Sequence, residues 1–435
     1  MRMLTTLPGS LTTVFGASLA SPVFITVLVP LLISCFACLL IRKNADKLGL
    51  LDKPGARKIH TVPIPVGGGL GIWLGVCLPI ACLSVVVLLL VRSTNGGAPN
   101  SSISTFIPQF VFDHLGGINL RLGRLWGLLA LGSILTLLGT LDDRYNLSWK
   151  LRLGIEFIVA IIAVASGWRA TFFVDVPFIT YPVSVLWIVG LVNSFNMLDN
   201  MDGLSGGVAV ICSVVLAAVA LCFAPNPESG APQYFLAFFL LLLAGSICGF
   251  LIHNRPPAKM FMGDGGAYFI GFLLATTTLS MTFVGPSAPK SAIFTPIVVL
   301  AVPIYDAVSV IIIRLHNRVS PFVGDKNHYS HRLVALGLTK VQAVATIYLT
   351  TTVCAIGAFF LYQVNFTCAV LILVQTFLIL ALVAILEFAG RKSVRAKADG
   401  SSELVGDKTD NSATFSDNQL DKRENARKIN KTDKI

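Results

Sequence analysis

Residues 181–223 read YPVSVLWIVGLV (181–192), NSFNMLDNMDGLSGG (193–207) and VAVICSVVLAAVALCF (208–223): an apolar run, a polar turn and a second apolar run. In the middle segment Asn193, Asn196, Asp199 and Asp202 recur every third residue. Side chains three apart are neighbours on a helix surface, so each successive pair can reach one ion or one phosphate. Carboxylates at the edge of a membrane helix are costly without a partner, which makes them functional suspects. The competing reading is that they cap helix ends and line a solvated turn. On an unbroken helix Asn193 and Asp202 would point in opposite directions, because nine residues at about 100° each make two and a half turns. The stretch must bend to act as one site, and Asn200 and Gly203 are the expected places.

The rest of the chain has the same character. Of 435 residues, 54% are hydrophobic and only 13% charged, and mean hydropathy is +0.78. A soluble domain carries about 25% charged residues. Apolar runs long enough for a bilayer core of ~30 Å recur throughout. The fold class expected is therefore all-α, a polytopic membrane bundle. About eleven transmembrane helices are expected, near 22–41, 68–91, 125–141, 151–167, 179–195, 206–224, 234–252, 266–284, 292–313, 341–362 and 366–388. Residues 1–389 form one bundle, and 390–435, almost without apolar residues, form a disordered tail. All nine cysteines lie within apolar runs and read as small packing residues. No secretory signal and no nucleic-acid partner are expected.

Charge sets the orientation. The loops after every odd-numbered span, with the tail, hold 27 of the 33 Lys and Arg residues, and the opposite side holds 6. Without the tail the ratio is still 16 to 6. By the positive-inside rule the first set is cytoplasmic, with the N-terminus outside and the C-terminus inside. The long external loop 92–124 contains SISTFIPQFVFDHL, which suits a short interfacial piece.

The unusual polar clusters all fall on the cytoplasmic side. The first loop supplies Lys53, Arg57, Lys58 and His60 among prolines and glycines, which suits a polyanionic ligand or, more simply, a basic anchor. The second holds adjacent Asp142 and Asp143, which either face a metal and its neighbour or, through Asp143 or Asn146, cap the next helix. A third cluster puts Asn254 ten residues before Asp264, which stands between glycines at the mouth of a span and would also serve as an N-cap. The last gathers Arg314, Arg318, Asp325, His328, His331 and Arg332. His328 and His331 have a spacing that suits a transition metal. With bases all round and no cysteine, phosphate recognition fits better. Oxygen ligands ringed by bases point to Mg²⁺, with Mn²⁺ as the alternate ion. Together these features suggest an enzyme joining a soluble phosphorylated donor to a lipid acceptor. A transporter is the rival from another class, but transporters place charge near the bilayer midplane. Here only Glu156 lies about a turn inside a span.

At these residues the sequence resembles the polyprenyl-phosphate N-acetylhexosamine-1-phosphate transferases. Five motifs carry the resemblance in order: DKPGARKIHTVPIPVGG, LDD at 141–143, NSFNMLDNMDGLSG, FMGDGGAYFIG, and the stretch from Asp306 to the HRL ending at Leu333. The first and last favour the WecA/TagO branch over the MraY branch, whose phospho-MurNAc-pentapeptide transfer is the alternative activity. The resemblance covers about residues 22–388. It implies transfer of a sugar 1-phosphate, N-acetylglucosamine 1-phosphate first among candidates, from a UDP-N-acetylhexosamine to polyprenyl (undecaprenyl) phosphate in the plasma membrane, with release of UMP. It implies Mg²⁺ between Asp264 and Asn196. Asp142 would face the acceptor phosphate as the proposed base, with Asp143 in support. Asp199 and Asp202 would hold the nucleotide or metal shell, and Asn193, Asn254, Arg314, His328, His331 and Arg332 would bind the donor with the first-loop bases. A homodimer is left open, as is the choice between direct and double displacement. The motifs depart from the family's usual pattern in three places: Asn200 replaces a Gly, Ser330 a His, and Arg318 a frequent Gly. Asn tolerates a left-handed backbone, so the turn at 200 is expected to survive.

Overall fold

The computed structural model describes residues 17–52, 63–94, 109–170, 176–223, 232–281, 290–321 and 327–387. Lys53, Arg57, Lys58, His60 and Asp325, and the tail 390–435, lie outside them.

Helix α1 (Ala17–Leu48) leads into a small antiparallel pair, β1 (Leu51–Asp52) and β2 (Ile64–Pro65). Then come α2 (Gly68–Thr94), α3 (Gln109–Tyr145), α4 (Trp149–Ala165), α5 (Pro177–Leu198), α6 (Leu204–Cys222), α7 (Tyr234–Asn254) and α8 (Asp264–Ser280). A 3₁₀ turn (Lys290–Phe294) precedes α9 (Thr295–Val299) and α10 (Ala301–His316), followed by α11 (Tyr329–Ala335) and α12 (Lys340–Phe360). The last is α13 (Phe366–Glu387).

Each of the eleven expected segments contains a helix, and the all-α membrane class holds. Eight described helices are long and apolar enough to cross a membrane, or nine if α9 and α10, bent by 66°, count as one broken span. Helices α4 and α8 have 17 residues each, about 26 Å at 1.5 Å per residue. The external loop is shorter than expected. Its second half is helical, and α3 runs for 37 residues without a proline. The SISTFIPQFVFDHL piece thus joins α3 from Gln109 onward, and its earlier residues lie outside the described set.

Helix α8 is the core of the bundle, with 14 residues from Gly265 to Thr278 buried in an unbroken row. It packs on α5, α3 and α2. All three crossings bring backbone against backbone, the α5 crossing at Gly271, where a Cβ would stand 2.7 Å from Leu191 O. A Cβ on Gly139 of α3 would stand 2.2 Å from Gly265 N, and one on Gly69 of α2 would stand 2.2 Å from Gly266 N. Small residues allow this approach, and in lipid such close packing replaces the hydrophobic drive between helices. The Gly139 crossing sets the start of α8 beside the end of α3, so Asp264 meets Asp142 and Asp143. At the periphery α1 and α13 expose large apolar side chains, among them Phe24, Phe36, Phe366 and Phe377.

The first loop is moored to the same place. Phe261 N donates to Pro65 O at 2.9 Å, and Gly68 N and Gly69 N donate to Phe261 O and Met262 O at 3.0 and 2.9 Å. The base of the hairpin therefore sits against the residues that lead into Asp264.

Candidate active site

Helix α5 ends at Leu198, with Asp199 at its C-cap, and α6 begins at Leu204 after Gly203. The bend falls where the sequence demanded it, within 199–203. Its left-handed residue is Gly203 (φ 77°). Asn200 is not left-handed; among described non-glycine residues only Asn146 and Arg318 have positive φ. Asn200 instead acts through its side chain, whose Nδ2 donates to Met197 O at 2.8 Å.

Asp264 is the hub. It is the first residue of α8 rather than its cap, which is Gly263. The capping duty falls to another helix: Asp264 N donates to Asp143 Oδ1 at 3.2 Å. Gly263, with φ 77°, leaves room for this, since a Cβ there would stand 2.3 Å from Asp143 Oδ2. The Asp264 side chain is left to face the site. Its Oδ1 accepts from Asn196 Nδ2 at 2.8 Å, and its Oδ2 lies 3.4 Å from Arg152 Nη1.

Asp142 is buried and its two oxygens are engaged. Oδ1 accepts from Leu147 N at 2.6 Å, and Oδ2 is paired with Arg152. Sequence reading passed over Arg152, although it lies in the LDD loop ten residues after Asp142. It bridges two carboxylates and keeps a cation between the ends of α3 and α8. The capping role considered for Asp143 or Asn146 at the start of α4 belongs to Ser148, whose side chain accepts from Leu151 N. Asn146 follows the end of α3 in a left-handed conformation (φ 52°).

Asn193 lies one turn further into α5, where it donates to Glu156 of α4 and to Val189 O. Asp202 and Asn254 brace the turn. Ala258 N donates to Asp202 Oδ2 at 3.0 Å, Gly203 N donates to Asn254 Oδ1 at 2.8 Å, and Asn254 Nδ2 donates to Met260 O at 2.8 Å. Asn254 is buried, and both ends of its amide are spent on backbone.

The second half of the site is built on α10 and α11. Buried Asp306 accepts from Tyr329 N at 2.6 Å and lies 3.0 Å from His328 Nδ1, fixing the start of α11. The His328 and His331 rings are 6.4 Å apart. Arg314 is buried and donates to Pro321 O at 2.6 Å. Arg332 is 3% exposed. Its Nη1 donates to Asn327 O at 2.5 Å, its Nη2 to Ser309 Oγ at 2.9 Å, and its Nε stands 2.8 Å from Glu387 Oε2. Tyr305 OH donates to the same Glu387 oxygen at 3.1 Å. Arg314 and Arg332 thus hold the frame of this half. Asp306 stood in a motif without an assigned role. Glu387, 55 residues past Arg332, gave no local signal.

The electrostatics of the two halves differ. Asp264 is pushed well above the usual carboxylate range by burial and by the Asp143 and Asp142 carboxylates. Asp199 is raised to about 7 by burial, Asp143 and Asp202. An all-oxygen cluster whose members repel one another suits a hard divalent cation. Among the described residues no three His, Cys, Asp or Glu side chains are grouped to hold a metal alone. Mg²⁺ takes one or two protein carboxylates and completes its shell with substrate phosphates and water. Asp264 and Asn196, bonded to each other at 2.8 Å, are the side chains that could hold such an ion.

The profile of glycosyl transferase family 4 matches residues 125–282, which span α8 and the acidic half. The chain is 33% identical over 328 residues to a probable undecaprenyl-phosphate N-acetylglucosaminyl 1-phosphate transferase of Bacillus subtilis, covering 73% of this chain and 79% of that protein. It is 28% identical over 348 residues to a decaprenyl-phosphate N-acetylglucosaminephosphotransferase of Mycobacterium leprae, with 75% and 80% covered. It is 28% identical over 331 residues to the undecaprenyl-phosphate alpha-N-acetylglucosaminyl 1-phosphate transferase of Escherichia coli K12, with 72% and 77% covered.

Proposed function

The chain belongs to glycosyl transferase family 4, and from that premise we propose that it transfers N-acetylglucosamine 1-phosphate from UDP-N-acetylglucosamine to a polyprenyl phosphate. An oxygen of the lipid phosphate attacks the phosphorus that bears the sugar. The bond to the UMP oxygen breaks, UMP leaves, and a polyprenyl-pyrophosphoryl sugar remains. The observation that carries this reading is the meeting of Asp264, Asn196, Asp142, Asp143 and Arg152 at the ends of four helices.

Mg²⁺ bound at Asp264 and Asn196 would supply charge neutralisation at the donor phosphates. Asn196 would turn its carbonyl oxygen toward the ion, and Asp143 keeps the backbone of Asp264 in place. The acceptor phosphate, a monoester with a second pKa near ~6, is largely ionised at neutral pH. A strong base is not required. Asp142 therefore orients Arg152, which offers a guanidinium to phosphate oxygens. The helix that carries His328 and His331 faces the donor.

In the bilayer, the eight long helices, the bent pair as one span, and α4 and α8 make eleven crossings. The positive-inside count supports a site on the cytoplasmic face, with the N-terminus outside and the C-terminus inside, and the plasma membrane is the location proposed.

The test is a membrane assay with sugar-labelled UDP-N-acetylglucosamine, undecaprenyl phosphate and Mg²⁺. Labelled lipid and released UMP are expected. A reaction that proceeds unchanged after chelation, or equally well in Asp264→Asn, sinks the proposal. Other UDP sugars in the same assay check the donor.

A further inference from the structure

Two residues at which the motifs depart from their usual form touch each other. Ser330, 1% exposed in the first turn of α11, donates its hydroxyl proton to Asn200 Oδ1. Asn200 Nδ2 turns back to Met197 O at 2.8 Å, which fixes the amide with its oxygen toward Ser330. Asn200 follows Asp199 directly, and Ser330 stands between His328 and His331. The other braces of the 199–203 turn reach elsewhere: Asn254 and Ala258 hold it from the α7 side, and Tyr348 OH of α12 donates to Gly203 O. The Asn200–Ser330 bond runs to the histidine helix itself.

We propose that Asn200 and Ser330 are positioning residues for the nucleotide-sugar, a clasp that sets the spacing between the acidic turn and the histidine helix. The inference rests on the function proposed above. A nucleotide-sugar must meet the carboxylate end and the histidine end of the site at once, and a small misplacement of one end weakens its grip. The single hydroxyl proton of Ser330 is spent on Asn200, so the pair acts through geometry rather than by donating to substrate. The function proposed above gives the acceptor to Asp142 and Arg152, which Asn200 and Ser330 do not bond, so the clasp is assigned to the donor alone.

The experiment uses the full chain in membranes and compares Ser330→Ala, Asn200→Ala and the double variant by steady-state kinetics, with thermal midpoints recorded in parallel. One hydrogen bond of ordinary strength corresponds to about fivefold. Each single variant is expected to raise the KM for UDP-N-acetylglucosamine about fivefold, with kcat and the KM for undecaprenyl phosphate within about twofold. The double variant is expected to match Asn200→Ala, because adding Ser330→Ala to it removes nothing further from the clasp. Multiplying effects, a fall in kcat at constant donor KM, or no change in either single variant overturns the clasp. Asn200 is only partly buried, so Asn200→Ala carries the test if Ser330→Ala lowers the yield of folded protein. An inactive wild type would instead overturn the parent reading.

Discussion

The acidic and basic halves of the site use charge in opposite ways. At the ends of α3, α5 and α8 the carboxylates outnumber their cations: Arg152 bridges Asp142 and Asp264, while Asp143 and Asp199 raise or are raised by their neighbours. On α10 and α11 the buried polar side chains have partners. His328 faces Asp306, Arg332 faces Glu387, and Arg314 donates to a carbonyl. One half keeps an excess of negative charge that a bound cation can offset. The other is a rigid frame. Substitutions should therefore separate activity from stability according to the half they strike.

The largest expected effect is in the acidic half. Asp264→Asn should lower kcat by about 10³-fold, the scale of losing one electrostatic contact to a transferring group. It should leave the thermal midpoint of the metal-free protein unchanged or higher, because it removes a repelling charge. A clear loss of stability with modest loss of activity would reverse the assignment of the two halves. In the basic half, Glu387→Ala leaves Arg332 buried beside a lost partner and should cost about 3 kcal/mol of stability. Chemical denaturation or a thermal scan reads this, and replacing both residues by apolar ones should recover most of it. Recovery that fails would mean that Arg332 does more than hold the frame.

Asp306→Asn should reduce kcat/KM by about 10- to 100-fold, the cost of losing a group that orients a working histidine. Unchanged kinetics would make the His328–Asp306 contact purely structural. The pH response sharpens the contrast further. A carboxyl raised from about 4 to about 7, as Asp199 is, keeps its proton longer in the folded state. Folded stability is therefore lost as pH rises across that window, and the loss is complete above it. Metal-free protein should melt progressively lower from pH 5 to pH 7.5, and Mg²⁺ should restore more at pH 8 than at pH 6. Asp199→Asn should flatten the slope; the same slope in that variant would assign it elsewhere. Arg318 gives the smallest effect. It holds φ 56°, a conformation that costs a side-chain-bearing residue about 1 kcal/mol. Arg318→Gly should be neutral to stabilising by about 0.5 kcal/mol, after the entropy of a freer unfolded chain is deducted. A destabilised variant would show that the side chain makes a contact worth more than its strain.

Some of the site was readable in one dimension. The apolar runs announced the helices, and the polar residues stood at their ends. The break in NSFNMLDNMDGLSGG followed from helical geometry alone, and Gly203 is where it occurs. What sequence spacing concealed was division of labour. Asn254, Arg314 and Arg332, expected to bind the donor, are buried and also bonded to protein groups. Arg152 looks like one of several loop bases but joins two carboxylates. Asn200 was expected to bend the chain by its backbone and instead bonds Ser330, 130 residues away.

The sequence by itself determined a polytopic helical bundle, the location of the polar clusters and the charge asymmetry, because hydropathy and helical period are local properties. Tertiary structure alone decided which carboxylates meet. Gly139, Gly69 and Gly271 let α3, α2 and α5 approach the backbone of α8, and those crossings set Asp264 beside Asp142, Asp143 and Asn196. Which charges work and which merely hold the frame depends on neighbours far away in the chain. Such neighbours leave no periodic trace, because their contact is fixed by how whole helices pack.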